Sequence, residues 1–162
     1  SMSLINHRRR SARWHGASQK VGQSAAPLFL DRIDIQCEIS ALPFKELSKA
    51  APGEPSAKIR ERVIAARALQ TARFKDVPGV HCNAQMTERM IHQYAEPDEQ
   101  GLDLMRLAME RLSLSARAYS RILKVARTIA DLDASPTVRP EHISEAITYR
   151  QLDRSDWAER GL

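Results

Sequence analysis

Aromatic side chains are scarce in this chain: three Phe, three Tyr and two Trp make up 5% of 162 residues. Sheets draw on aromatic and β-branched residues, so a chain dominated by Ala, Leu, Ile and Arg is expected to be helical. No apolar run approaches the roughly 20 residues a membrane helix requires, which excludes a spanning segment. The start lacks the charged-then-apolar pattern of a signal peptide, so a cytoplasmic location is expected. Cysteine is confined to Cys37 and Cys82, with no Cys-x-x-Cys and no nearby pair of histidines. A zinc site is thereby excluded, and two buried thiols in a reducing cytosol are expected. The histidines, His7, His15, His81, His92 and His142, have no metal-binding spacing.

The motifs of catalysis are missing as well. There is no Gly-x-x-x-x-Gly-Lys-[Ser/Thr] to cradle phosphates. No apolar strand ends in paired acids to hold Mg²⁺, and no serine sits in a Gly-x-Ser-x-Gly elbow. On its own the chain is expected to carry out no chemistry and to bind ATP weakly or not at all.

The net charge of +5 is a local property. Arg8, Arg9, Arg10, Arg13 and Lys20 account for all of it, and residues 1–20 contain no acid. The rest of the chain is balanced, with 20 basic and 20 acidic residues. Binding to a nucleic-acid backbone needs a concentrated basic surface, so any salt-sensitive DNA affinity is expected in the tail. Residues 1–27 read as a disordered basic tail, rich in Ser, Arg, Gly and Gln, and a serine ahead of Met2 resembles a cloning remnant.

What is present is mostly helical periodicity. Residues 28–42 include Ile33 to Ile39, whose alternation predicts one strand with Ile33, Ile35, Cys37 and Ile39 on one face. A short helix is expected over Pro43 to Ala50, and then a loop to Pro55. Ser56 is expected to cap a long helix to Phe74 with Ile59, Val63, Ala66 and Leu69 or Gln70 inward. Its Lys58, Arg60, Arg62, Arg67 and Arg73 make either a solvated face or a basic track toward a partner. Thr87 and Asp98 open two further helices, the second using Leu102, Met105, Leu107, Ala108 and Met109. The methionines read as core filling. Pro140 suits the first turn of a last helix through Ile143, Ala146, Ile147 and Tyr149. The fold class is therefore all-α, a bundle of about five helices spanning 43–154, with a frayed end at 155–162.

The most informative run is Leu114 to Asp131, L-S-A-R-A-Y-S-R-I-L-K-V-A-R-T-I-A-D. Ser115 can cap a helix whose apolar stripe is Tyr119, Ile122, Ala126 and Ile129. Arg117 then lies at the positive end of the helix dipole, where an anion is already favoured. It reads either as a phosphate-seeking guanidinium or as a solvated arginine on an amphipathic helix.

This run resembles the C-terminal signature of the magnesium-chelatase-like AAA+ proteins, the YifB/ComM group. F-L-D-R-I-D-I-Q (Phe29 to Gln36), G-E-P-S-A-K-I-R-E-R-V-I-A-A-R-A-L-Q (Gly53 to Gln70), N-A-Q-M (Asn83 to Met86) and P-E-H-I-S-E-A-I-T-Y-R-Q-L-D-R (Pro140 to Arg154) match it in the same order. The resemblance implies a helical lid C-terminal to an AAA+ core, with residues 28–42 the remnant of that core's last strand. It implies ATP and Mg²⁺ in the full-length protein, held by the core, and a homo-oligomeric ring, hexameric by analogy. Arg117 matches the sensor-2 arginine that reaches the γ-phosphate, and Arg121, one turn on, could assist. Arg32 matches the arginine that related ring ATPases present to a neighbouring subunit's nucleotide, although an ion pair with Asp31 or Asp34 is the alternative reading. The implied work is DNA remodelling. The other readings are the lid of a chelatase motor subunit and a stand-alone DNA-binding module, in which the last two helices form a helix-turn-helix with a long connection, Asp133 to Arg139.

Overall fold

The computed structural model describes residues 32–37, 39 and 51–150. The chain divides into two units, Ser1–Ile33 with Leu152–Leu162, and Asp34–Gln151. Of the first, only Arg32 and Ile33 are described. The basic tail, the short helix expected over Pro43 to Ala50 and the residues after 150 lie outside the described residues.

The second unit contains α1 (Ser56–Phe74), a 3₁₀ turn (Asn83–Gln85), α2 (Glu88–Tyr94), α3 (Glu99–Arg111), α4 (Ala116–Leu132) and α5 (Pro140–Thr148). Three of the starts are set by side-chain caps, as read from the sequence. Thr87 accepts from the Met90 N–H at 3.4 Å, Asp98 from Gly101 at 2.8 Å and Ser115 from Ala118 at 3.1 Å. Each satisfies a backbone donor that the first helical turn leaves open. At α1 the cap is different. Pro55 occupies the cap position without a side-chain bond, and Ser56 is already helical.

The ends of α3 and α4 share a geometry. Ser113 (φ 44°) and Ala134 (φ 50°) turn left-handed. The next amides reach back into the helix, Leu114 N–H to Met109 O at 3.1 Å and Ser135 N–H to Ala130 O at 2.8 Å. This closure satisfies carbonyls left open at the helix ends.

Helix α4 is the centre of the bundle. Ile122, Leu123, Ala126 and Ala130 are essentially inaccessible, and Phe74, Met86, Ile91, Met105, Val138, Ile143 and Ala146 pack around them. Phe74 meets Tyr94 edge to face with centroids 5.7 Å apart. Met86 and Met105 fill the core, as expected.

Several expectations are corrected. Leu102 and Leu107 are 41% and 44% exposed. Gly101, Met105 and Ala108 carry the buried face of α3; Leu102 and Leu107 each sit about 100° off that stripe. On α1 only Ala66, Gln70 and Phe74 are buried. Ile59 and Val63 instead overhang a groove of about 440 Å³ shared with Ile129 and Leu132. Residues 33–37 and 39 contain no strand, and Ile35 and Ile39 are exposed. Among the described residues there is no sheet edge for this segment to join, and so no ladder to form. Of the two free thiols, Cys37 is exposed and Cys82 half-buried. No described helix is long and apolar enough to cross a membrane.

Gly101, in the first turn of α3, lies tight against the residues that lead into the helix. A Cβ added there would lie 2.7 Å from Pro97 Cβ and 3.2 Å from Asp98 Oδ1. Gly101→Ala should therefore destabilise the domain by about 1–3 kcal/mol, despite the better helix propensity of alanine. Urea unfolding followed by circular dichroism measures this, and an unchanged midpoint would mean that the Pro97 loop yields freely.

Candidate functional site

Helix α4 displays two kinds of arginine. Its N-terminal turn presents Arg117, which is exposed. Among the described residues its guanidinium has no hydrogen-bond or ion-pair partner. The Ser115 cap accepts the Ala118 N–H, and the positive end of the 17-residue helix lies beside that guanidinium. This arrangement suits an anionic oxygen, because the charge stays hydrated until a ligand replaces the water.

Arg121 lies one turn on and is half-buried. Its guanidinium pairs with Asp34. Ser120 donates to Glu88 at 2.9 Å, and Lys124 Nζ donates to the Ala84 carbonyl at 3.0 Å. Arg32 is exposed. Asp34, one of its two candidate partners in the sequence, is the residue engaged with Arg121.

The other end of α4 carries a polar cluster that sequence reasoning missed. Asp131 is fully enclosed, and Arg73 of α1 grips it bidentately, Nη2 to Oδ1 at 2.5 Å and Nη1 to Oδ2 at 2.8 Å. Asn83 donates to Oδ2 at 2.8 Å, and Arg127, one turn earlier on α4, lies 3.1 Å from Oδ1. Arg127 is itself only 2% exposed. It donates to the carbonyls of Ser135 at 2.6 Å and Pro136 at 3.1 Å. Gln70 accepts the Asn83 backbone N–H at 3.0 Å. Arg73, expected on a basic face, is thus a structural pin between α1, the 3₁₀ turn and α4.

The electrostatics follow from this enclosure. Burial works to raise the Asp131 carboxyl, but the bonds from Arg73 and Asn83 and the charge of Arg127 outweigh it and hold the group below the ordinary carboxylate range. Burial lowers the Arg127 guanidinium, against the opposing pull of Asp131. On the surface nearby, the bonds from His142 and Arg139 hold Asp133 low. His142 Nδ1 accepts the Arg139 backbone N–H at 3.0 Å and Nε2 faces Asp133 at 3.1 Å. Among the described residues no three His, Cys, Asp or Glu side chains converge as a metal site.

Comparison with known proteins supports reading this all-α bundle as the C-terminal lid of an AAA+ family protein. Residues 53–150 match the family described as magnesium chelatase, subunit ChlI C-terminal, and the chain belongs to that family. Over 127 residues, 78% of the chain, it is 40% identical to the uncharacterized protein YifB of Escherichia coli and 36% identical to the competence protein ComM of Haemophilus influenzae. Over 131 residues, 81% of the chain, it is 30% identical to the uncharacterized protein Rv2897c of Mycobacterium tuberculosis. The chain spans about a quarter of the length of these relatives, 24% of the first two and 25% of the third.

Proposed function

We propose that this domain is the nucleotide-sensing lid of a ring-forming AAA+ ATPase, with Arg117 contacting the γ-phosphate of ATP held by the protein's own N-terminal core. The observation that carries this reading is Arg117 itself: exposed, at the first turn of the best-formed amphipathic helix, and without a partner among the described residues. An arginine kept for structure would be paired, as Arg73 and Arg127 are. Mg²⁺ and the phosphate-cradling loop belong to the core, and Arg32 is presented to the nucleotide of the neighbouring subunit, most simply in a hexamer. The family match supports an ATP-driven parent. The relationship to a competence protein favours DNA as the material that parent remodels.

The test is Arg117→Ala in the full-length protein. Hydrolysis should fall about a hundredfold, the usual consequence of removing one preorganised charge from a transition state. In the isolated domain the same change should move Tm by no more than about 2 °C, since an exposed side chain with no partner contributes little. A large loss of Tm would assign Arg117 to the fold and remove the proposal.

A further inference from the structure

Helix α1 is longer than the bundle it packs on. Its second half is held by Ala66, Gln70 and Phe74, all buried, while every residue from Ser56 to Ala65 is exposed. The stripe that docks the second half continues at helical spacing to Val63 and Ile59, which are 46% and 43% exposed. There it faces Ile129 and Leu132 of α4 across the groove of about 440 Å³. The rim of this groove is acidic, with Asp133 at the end of α4 and Glu141 and Glu145 on α5. Arg62 lines it too, but is paired with Glu54. Arg139 bonds both Asp133 and Glu141, at 2.9 and 3.0 Å, and His142 meets Asp133 at 3.1 Å. Four carboxylates thus stand against two guanidiniums, and Glu145 accepts from the neutral Tyr149 hydroxyl at 2.8 Å. The same helix carries the complement on another side. Arg60, Ile64 and Arg67 fall at i, i+4 and i+7 and share a face turned about 90° from the docking stripe. Ile64 is 56% exposed, and among the described residues neither arginine has an ion pair.

We propose that the first half of α1 docks a second copy of this chain: its Arg60–Ile64–Arg67 face seats on the acid-rimmed groove of a neighbouring domain. Ile64 meets the apolar floor made by Ile59, Val63, Ile129 and Leu132, and the two arginines meet the carboxylates of the rim. The choice of occupant rests on complementarity. The groove asks for an apolar residue between two cations, and this chain exposes that arrangement on a face its own bundle leaves uncovered. Arg60 and Arg67 stand about 10 Å apart along the helix, and their stems can lie on apolar surface while the heads reach the rim. The groove and the docking face are different surfaces, so the contact is head-to-tail, the kind that closes into rings. The inference does not depend on the reading of Arg117, and its test leaves that residue untouched.

Sedimentation velocity of this chain tests the contact. One helix face makes a small, weak interface, so the average mass should rise above that of a single chain as concentration approaches the millimolar range. Added salt should reduce the rise. Arg60→Glu with Arg67→Glu should weaken association at least about tenfold, because it sets like charges against the rim. Ile64→Glu should do the same, and Glu141→Lys with Glu145→Lys should match them from the groove side. Lys58→Glu, on the far side of α1, should change association less than about twofold. An equal mixture of the two double variants should associate again but stop at pairs, since each has one intact surface. All four charge changes in one chain keep the parent's net charge and should restore its behaviour. The substituted side chains are exposed, and melting followed by circular dichroism checks that each variant is folded. Association that survives either double variant overturns the proposal, as does an equal loss from Lys58→Glu or a mixture that fails to recover. A parent that stays monomeric at every concentration overturns it too, and leaves the groove to a different cationic partner.

Discussion

Replacing Arg32 by alanine in the full-length protein should leave ATP binding nearly unchanged and lower hydrolysis about a thousandfold, the lower end of what an arginine finger contributes to phosphoryl transfer. The asymmetry follows from where the residue is proposed to act. A guanidinium supplied to a neighbour's nucleotide meets charge that develops during transfer, so its absence is felt in the transition state and hardly in the ground state. Mixing then gives a decisive comparison. Rings assembled from the Arg32→Ala protein and from a second variant lacking the phosphate-loop lysine of the core should regain part of the lost rate. Some junctions would pair an intact arginine with an intact phosphate loop. Verified mixed rings with no recovery at any ratio would place Arg32 in its own subunit's site or in the fold. A fall in ATP affinity matching the fall in rate would point the same way.

The second large effect is on stability. Asp131→Ala should destabilise the domain by about 3–5 kcal/mol, since it strands Arg127 in the core without its counterion. That is a large share of the roughly 5–15 kcal/mol a domain possesses, so thermal melting of the variant should begin near room temperature. The same carboxylate predicts a pH dependence. Its folded pKa lies below the unfolded value. The stabilisation is therefore fully present above about pH 4, the unfolded carboxylate value, and is lost as pH falls through the folded pKa. Urea unfolding of the parent should show declining stability below about pH 4. The slope should be shallower in Asp131→Asn, which cannot titrate. Equal slopes in the two proteins would mean that other carboxylates govern acid unfolding.

The helical starts were legible in the sequence because they depend on single residues. Thr87, Asp98 and Ser115 cap their helices by a bond to an amide three residues on, and four residues of sequence contain the whole interaction. The stripe of α4 was legible for a related reason: Ile122, Ala126 and Ile129 repeat at one helical period. The same period hides Arg127 and Asp131. They fall among Leu123, Ala126 and Ala130 on the inward side, and a rule that sends charge outward misplaces both. Their i, i+4 spacing within an apolar stripe was the available signal, but their partner Arg73 is 58 residues from Asp131 and no local pattern links them. The exposure of Ile59, Val63, Leu102 and Leu107 was also out of reach, since it depends on which neighbouring helix arrives at each face. Arg117 was singled out by its place at the start of a capped helix and then by resemblance, Arg32 by resemblance alone. The structure adds that Arg117 stands open to solvent and that Asp34 is already engaged with Arg121.

The Arg73–Asp131 pin has a consequence for how the chain assembles and how it can be cut. Asn83 and Arg73 join Asp131 across separations of 48 and 58 residues. Closing loops of that length costs entropy before any bond repays it. The pair α4 and α5, linked by the short connection 133–139, meets no such obstacle, so on loop-closure grounds α1 is expected to dock after it. A shortened version starting after Phe74 would retain four of the five described helices and lose the one side chain that grips Asp131 with both nitrogens. Its core would then hold a carboxylate and Arg127 with half of their network removed. The smallest autonomous folding unit therefore begins ahead of α1, however peripheral that helix looks from the surface it leaves in water.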